Sequence, residues 1–325
     1  MTRAAAQVSA DRHEEIAAEL PLLLRTLAQA HQRMRNAAAG DGITGTQISV
    51  MTAVVNNPGL DHRSVCKATF IDESTVASVV ANLAQRGLIM QSRSEADRRR
   101  YELRASNEAW ELVYASRARV TKGNDQLLSP LDAQQRIDFI RSLELIAYAD
   151  RNDAPARYVI PRPDGQGEPH RVQRGLGRLV RGCLQRHTRV WSEELRQPIT
   201  ALQYLVLRTL EDAGAIDQRA LGELTIVDKA TLTVLLQRLE RASLIDRVPD
   251  ERDRRRRLLA LDPSIQPLLS AARAAESAVA ARFLEPLTEA QREEFIAALK
   301  PVAAHARQEF IRSRGQRRGG LTPTP

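Results

Sequence analysis

One block of acid and arginine occurs twice in this chain. Ser94 to Arg100 reads SEADRRR, Asp250 to Arg257 reads DERDRRRR, and Asp253 stands 156 positions after Asp97. The same offset aligns Ile43, Thr44 and Gln47 with Ile199, Thr200 and Gln203, and Thr69, Asp72 and Thr75 with Thr225, Asp228 and Thr231. It also pairs Leu88-Ile89 with Leu244-Ile245, Phe139-Ile140 with Phe295-Ile296, and His31 with His187. A register kept over more than a hundred residues without a gap means two copies of one domain, with a period too long for a solenoid.

The boundaries follow from composition. Residues 1–150 form the first copy, 151–169 concentrate proline, glycine and charge as a linker does, and 170–314 form the second copy. Residues 315–325 are basic, glycine-rich and aperiodic, which predicts a disordered tail. With 325 residues, each copy is long enough to bury its own core. Lys and Arg number 48 against 40 Asp and Glu, a formal charge of +8 that favours a polyanionic partner. Two cysteines, no apolar leader and no long apolar run predict a cytoplasmic chain without a membrane span.

Helix-start signals recur at matching places. Thr44 with Gln47, Thr200 with Gln203 and Thr288 with Gln291 read as capping boxes, and Asp61, Asp217, Asp72 and Asp228 as N-caps. Val76, Val79, Val80 and Leu83, like Leu232, Leu235, Leu236 and Leu239, give one apolar face to the helix that follows Asp72 or Asp228. Two short apolar stretches flank each acid-arginine block, which predicts a hairpin with a charged loop. Ser106, and Asp262 with Pro263, then open a long helix. The fold class is mainly α: two winged helix-turn-helix domains, each of about six helices and a two-stranded wing.

On the Ile-Thr-x-x-Gln stretches, the Leu-Ile pairs that enter the wing, and Asp-Arg-Arg at 97–99 and 253–255, the chain resembles the MarR-type transcription regulators over nearly all of each copy. It departs from them after the wing, where Ala105-Ser106 with Ala109, and Leu261-Asp262 with Ile265, replace the usual Leu-Thr and Gly. The tandem arrangement departs further, since such proteins pair as homodimers. The resemblance implies an intramolecular pseudo-dimer, one chain per operator on double-stranded DNA. It also implies that Asp97 and Asp253 hold the wing while Arg99 and Arg255 enter the minor groove.

Arg98, Arg100, Arg254 and Arg256 are then expected to face phosphates, whose negative potential guanidinium groups answer. Base reading falls to the exposed positions of the recognition helices: Glu73, Ser74, Thr75, Ser78 and Asn82 in copy one, Lys229, Ala230, Thr231, Thr233 and Arg238 in copy two. Thr75 and Thr231 serve equally as helix-terminus residues. The resemblance further implies a small aromatic or phenolic effector. His31, Trp110, Tyr114, His187 and Trp191 are candidates to meet it, with core packing as the competing reading. Met34 against Val190, and Arg35 against Trp191, predict two unlike pockets. No metal site, cofactor or enzyme motif is legible: histidines and cysteines are scattered, and no phosphate loop or nucleophile elbow occurs. The expected function is a sequence-specific regulator, a repressor released by its effector; the alternative is a non-specific DNA-compacting or anti-repressor protein without one.

Overall fold

The computed structural model describes residues 3–40, 42–93, 101–151, 159–160, 170–171, 175–195, 199–251, 253 and 255–319. Copy one runs α1 (Arg3–Ala39), α2 (Gly45–Asn56), α3 (His62–Thr69), α4 (Glu73–Gln85), β1 (Ile89–Arg93), β2 (Tyr101–Ala105), α5 (Asn107–Leu127) and α6 (Ala133–Tyr148). A two-residue ladder, β3 (Val159–Ile160) with β4 (His170–Arg171), lies in and just after the Pro/Gly stretch. Copy two repeats the order with α7 (Leu176–Glu194), α8 (Ala201–Ala213), α9 (Gln218–Leu224), α10 (Lys229–Arg241), β5 (Ile245–Pro249), β6 (Arg257–Leu261), α11 (Gln266–Leu284) and α12 (Glu289–Gly319). α12 reaches five residues into the segment expected to be a disordered tail, where Gln316, Arg317 and Arg318 are good helix formers.

Local chemistry accounts for these boundaries. The three capping boxes form: the hydroxyls of Thr44, Thr200 and Thr288 accept from the backbone N–H of Gln47, Gln203 and Gln291, whose side chains accept the return bond. Asp132 and Gln135 make a fourth at the start of α6, in the place Thr288 and Gln291 hold in copy two. Asp61, Asp72, Asp217 and Asp228 cap as their positions predict, each cap contributing about 1 kcal/mol. One start differs. Asp262 caps a single 3-10 turn, Pro263–Ile265, and the α-helix begins only at Gln266. Pro267 has no N–H to give the carbonyl of Pro263, so an unbroken α-helical ladder cannot run through that turn.

Each hairpin is antiparallel, Ile89 opposite Ala105 and Ile245 opposite Leu261, and one bridge adds a third chain to it: Leu60 to Leu103, Ile216 to Leu259. The bridge residue immediately precedes the N-cap of α3 or α9, so the wing is hydrogen-bonded to the helix-turn-helix rather than hung from it. Between the two helices of each motif the chain turns through a left-handed residue, Phe70 (φ 53°) and Ile226 (φ 54°), at equivalent positions. A side chain rarely tolerates that backbone; burial of both in the core holds it there.

The chain divides into two compact units, and neither is a contiguous half. One holds residues 1–26 and 184–292; the other holds 27–183 and 293–325. In the first, Val206, Leu207, Leu221, Leu232, Leu236 and Leu239 make the centre of the winged core. In the second, Val50, Met51, Val54, Val65, Val76, Val80 and Leu83 do so, and Phe139 stacks on Phe295 of α12, ring centroids 5.5 Å apart. Among the described residues no helix is long and apolar enough to cross a membrane.

Candidate nucleic-acid interface

The helices that follow the left-handed turns present the faces expected of recognition helices. On α4, Val76, Val80 and Leu83 are buried, which leaves Glu73, Ser74, Ser78 and Asn82 outside and Thr75 half-buried. Asp72 binds both the Ser74 hydroxyl, at 2.7 Å, and the Thr75 N–H, at 2.8 Å, and these bonds hold its carboxyl down at about 2. Asn82 is not simply presented to solvent: its Oδ1 accepts a 2.7 Å bond from Gln47, the capping-box glutamine of α2. On α10, Lys229, Ala230, Thr231 and Arg238 are exposed. Thr233 is half-buried, donating to the Lys229 carbonyl at 2.7 Å and accepting from Gln218 at 2.9 Å. Both side chains read as base contacts therefore also brace the helix-turn-helix.

The second wing shows how its acid works. The Asp253 carboxylate accepts from the backbone N–H of Arg255 at 3.0 Å, and the Asp253 carbonyl accepts from Arg256 N–H at 2.8 Å. The acid thus folds the loop by binding backbone, leaving the Arg255 side chain exposed. Arg256, expected to face phosphate, instead reaches Asp217, the N-cap of α9, at 2.6 Å and Asp250 at 3.6 Å. It clamps the wing to the helix-turn-helix. Asp97, Arg98, Arg99 and Arg100 of the first wing, and Arg254 of the second, lie outside the described residues.

The interior candidates scatter. His187 is buried edge-on against Phe283, 5.8 Å between ring centres, and desolvation lowers it to about 4. Trp191 is fully buried, stacked on Tyr204 at 4.9 Å with its indole N–H donated to the Ile199 carbonyl at 2.9 Å. Both belong to the unit of 1–26 and 184–292. In the other unit His31 is buried so closely against α7 that a β-carbon on Gly177 would come within 2.0 Å of its ring. Burial first, then the charges of Arg35 and Arg181, push His31 well below its ordinary range, with Asn124 opposing. Trp110 packs half-buried on the winged core, and Tyr114, one turn along α5, is exposed.

Two family models describing the MarR family match, one over residues 41–100 and one over 199–256. The chain is 36% identical over 117 residues to the transcriptional regulator HosA of Escherichia coli, 36% of this chain and 86% of that protein. It is 35% identical over 104 residues to the HTH-type transcriptional repressor NicR of Pseudomonas putida, 32% of this chain and 66% of that one. The chain belongs to the MarR family. Among solved structures it is similar to the regulator PcaV of Streptomyces coelicolor in complex with its natural ligand, at 33% identity and a TM-score of 0.36 over 40% of this chain and 90% of that one. It is also similar to BpsR of Bordetella bronchiseptica, a structure concerned with regulation of DNA binding by 6-hydroxynicotinic acid, at 26% identity and a TM-score of 0.37 over 39% and 92%.

The protein is thus a transcription regulator with two MarR domains. Within the second MarR domain Val234, which the repeat aligns with Ser78, is 50% exposed on the outer face of α10, between Lys229 and Arg238. A β-branched apolar side chain left in water on that face suits a thymine methyl. Its signal was present in the sequence, because Val234 falls off the Leu232, Leu235, Leu236, Leu239 stripe. In the unit of residues 27–183 and 293–325, Arg35 and Arg181 both act on His31; the sequence placed the two arginines on different helices more than 140 positions apart and gave no sign of the meeting.

Proposed function

We propose that this MarR protein is a cytoplasmic repressor that binds double-stranded DNA one chain per operator, as a pseudo-dimer, and is released by a small aromatic or phenolic effector. The observation that carries the reading is the pair of exposed recognition helices with unlike faces, each followed by a wing that is bridged to its own helix-turn-helix. Where a homodimer reads one half-site twice, this chain offers Glu73, Ser78 and Asn82 to one half and Lys229, Val234 and Arg238 to the other. The operator is then an imperfect palindrome, with half-site centres about one helical turn, roughly 34 to 36 Å, apart. NicR, a repressor by name, and BpsR, whose DNA binding is tied to 6-hydroxynicotinic acid, support the direction of control and the effector class.

Selection of DNA fragments by the purified protein, followed by light scattering of the complex, tests this. The expected result is one unequal-halved site, one chain bound to it, and a preference over random DNA of about a thousandfold or more. Two chains on the minimal site would reject the pseudo-dimer. Equal affinity for random DNA would favour a compacting protein.

A further inference from the structure

We propose that Gly177 and Gly182 of α7 are pairing-selectivity residues: they let the first copy's winged core accept the second copy's first helix and make it refuse its own, so that the copies pair only as unlike halves. The contacts that carry this all lie in the unit of residues 27–183 and 293–325. The inference rests on the reading of one chain as the pseudo-dimer, and the melting series that tests it uses no DNA, so it fails separately from the operator selection.

Both glycines are buried within α7, although glycine is a poor helix former. What they leave room for is specific. A β-carbon on Gly182 would come 2.7 Å from the β-carbon of Ala147 and 2.9 Å from the Phe70 ring. A β-carbon on Gly177 would overlap the His31 imidazole outright. Ala147, Phe70 and His31 belong to the first copy, the glycines to the second. Neither ring is free to step aside. Phe70 holds the left-handed turn between α3 and α4, with the Arg151 guanidinium 4.7 Å over its face and the Tyr148 ring edge-on at 5.2 Å. Arg151 is itself tied to the Lys67 carbonyl at 3.0 Å. His31 is almost wholly buried.

The offset of 156 sets Pro21 and Thr26 of α1 opposite Gly177 and Gly182. If two chains paired through their first copies in this arrangement, α1 would bring a proline ring and a branched side chain to places where not even a β-carbon fits. Such overpacking forces the backbone apart and destabilises. Pairing through two second copies fails in the opposite sense. Thr26 is buried in its own unit, its hydroxyl donated to the Leu22 carbonyl at 2.7 Å, and a glycine in its place leaves a void. The second copy has Ile226 where the Phe70 ring would fill that room.

Unlike pairing is the combination with neither clash nor hole, and a single chain supplies it. Selectivity of this kind comes from what the wrong partner cannot do. The like pairing that builds a homodimer is closed to this chain, which leaves two chains no symmetric way to share an operator.

Thermal melting of the full chain reads this through the sign of each change. Gly182→Ala is expected to lower Tm by about 3 °C or more, and Gly182→Thr, which writes α1's residue into α7, to lower it further. Without the clash both would raise it, since alanine and threonine are better helix formers than glycine. Gly177→Ala is expected to lower Tm likewise. Phe70→Ile, which writes the second copy's residue into the first, is expected to lower Tm in the wild-type chain and to raise it in the chain carrying Gly182→Thr. Where Gly182→Thr does not fold, Gly182→Ala with and without Phe70→Ile gives the same comparison. Glycine variants that melt at or above the wild type, or a Phe70→Ile change that lowers Tm in both backgrounds, overturn the inference.

Discussion

Arg255 and Arg256 are neighbours on the second wing with different work. Arg255 has its backbone N–H held by Asp253 and its guanidinium outside; Arg256 is turned back onto Asp217 and Asp250. Arg255→Ala is therefore expected to weaken operator binding and to lower the salt dependence by about one ion, leaving the melting temperature unchanged. Arg256→Ala is expected to leave the slope nearly as it was, to cost at most about 1 kcal/mol of stability as exposed pairs do, and to weaken binding by freeing the wing. Affinity measured over a range of salt separates the two; identical slopes for both variants would contradict the division of labour. The acid-arginine block was legible in the sequence because it repeats. The partner of Arg256 was not, since Asp217 is 39 positions away and is also an N-cap, a role that already accounts for it. Asn82 is the same case: an exposed amide on a helix face looks free until the fold brings Gln47 within 2.7 Å.

At the scale of the elements, caps and apolar stripes specify most of what forms. The helix starts read from Thr, Asp and Ser exist except at Asp262, where a 3-10 turn comes before the α-helix, and α4 and α10 bury the stripe that their spacing draws. What differs arises where backbone chemistry competes, as at Pro263 and Pro267, or where a residue accepts an unfavoured conformation because tertiary packing compels it, as at Ile226. The two recognition helices share a frame and differ on the outside, so their contributions to reading are separable. Val234→Ser, which places copy one's Ser78 on copy two, is expected to cost about 1 kcal/mol of operator affinity through the lost apolar contact. The loss should fall on a thymine of one half-site only. Binding to operators substituted in one half at a time checks this; an equal loss on both halves, or none, removes Val234 from the reading surface.

Across the whole molecule, two buried histidines tie stability to pH. His31 lies in one unit and His187 in the other, both held neutral by burial, with His187 at about 4. The unfolded chain binds those protons near pH 6.5 and the folded chain only well below it, so stability is complete above that value and falls as pH drops toward 4. Chemical denaturation at pH 7 and pH 5 is expected to show a loss to which His187 contributes about 1 to 2 kcal/mol and His31 adds in the same direction, and His187→Phe to remove its share. An unchanged slope in that variant would place the buried charge elsewhere. The sequence alone determined that there are two winged domains, where most helices of each winged core begin, and that the wings are arginine-rich, because duplication, capping and apolar periodicity are local and need no partner to be read. The structure decided which segments share a core, with residues 1–26 placed beside 184–292 and 293–325 beside 27–183. It also decided that Arg35 and Arg181 lie within each other's field while Trp191 stacks on Tyr204. An apolar stripe specifies that a helix must be covered and says nothing of which face covers it, and a charge shows its partner, or the lack of one, only after the chain has folded.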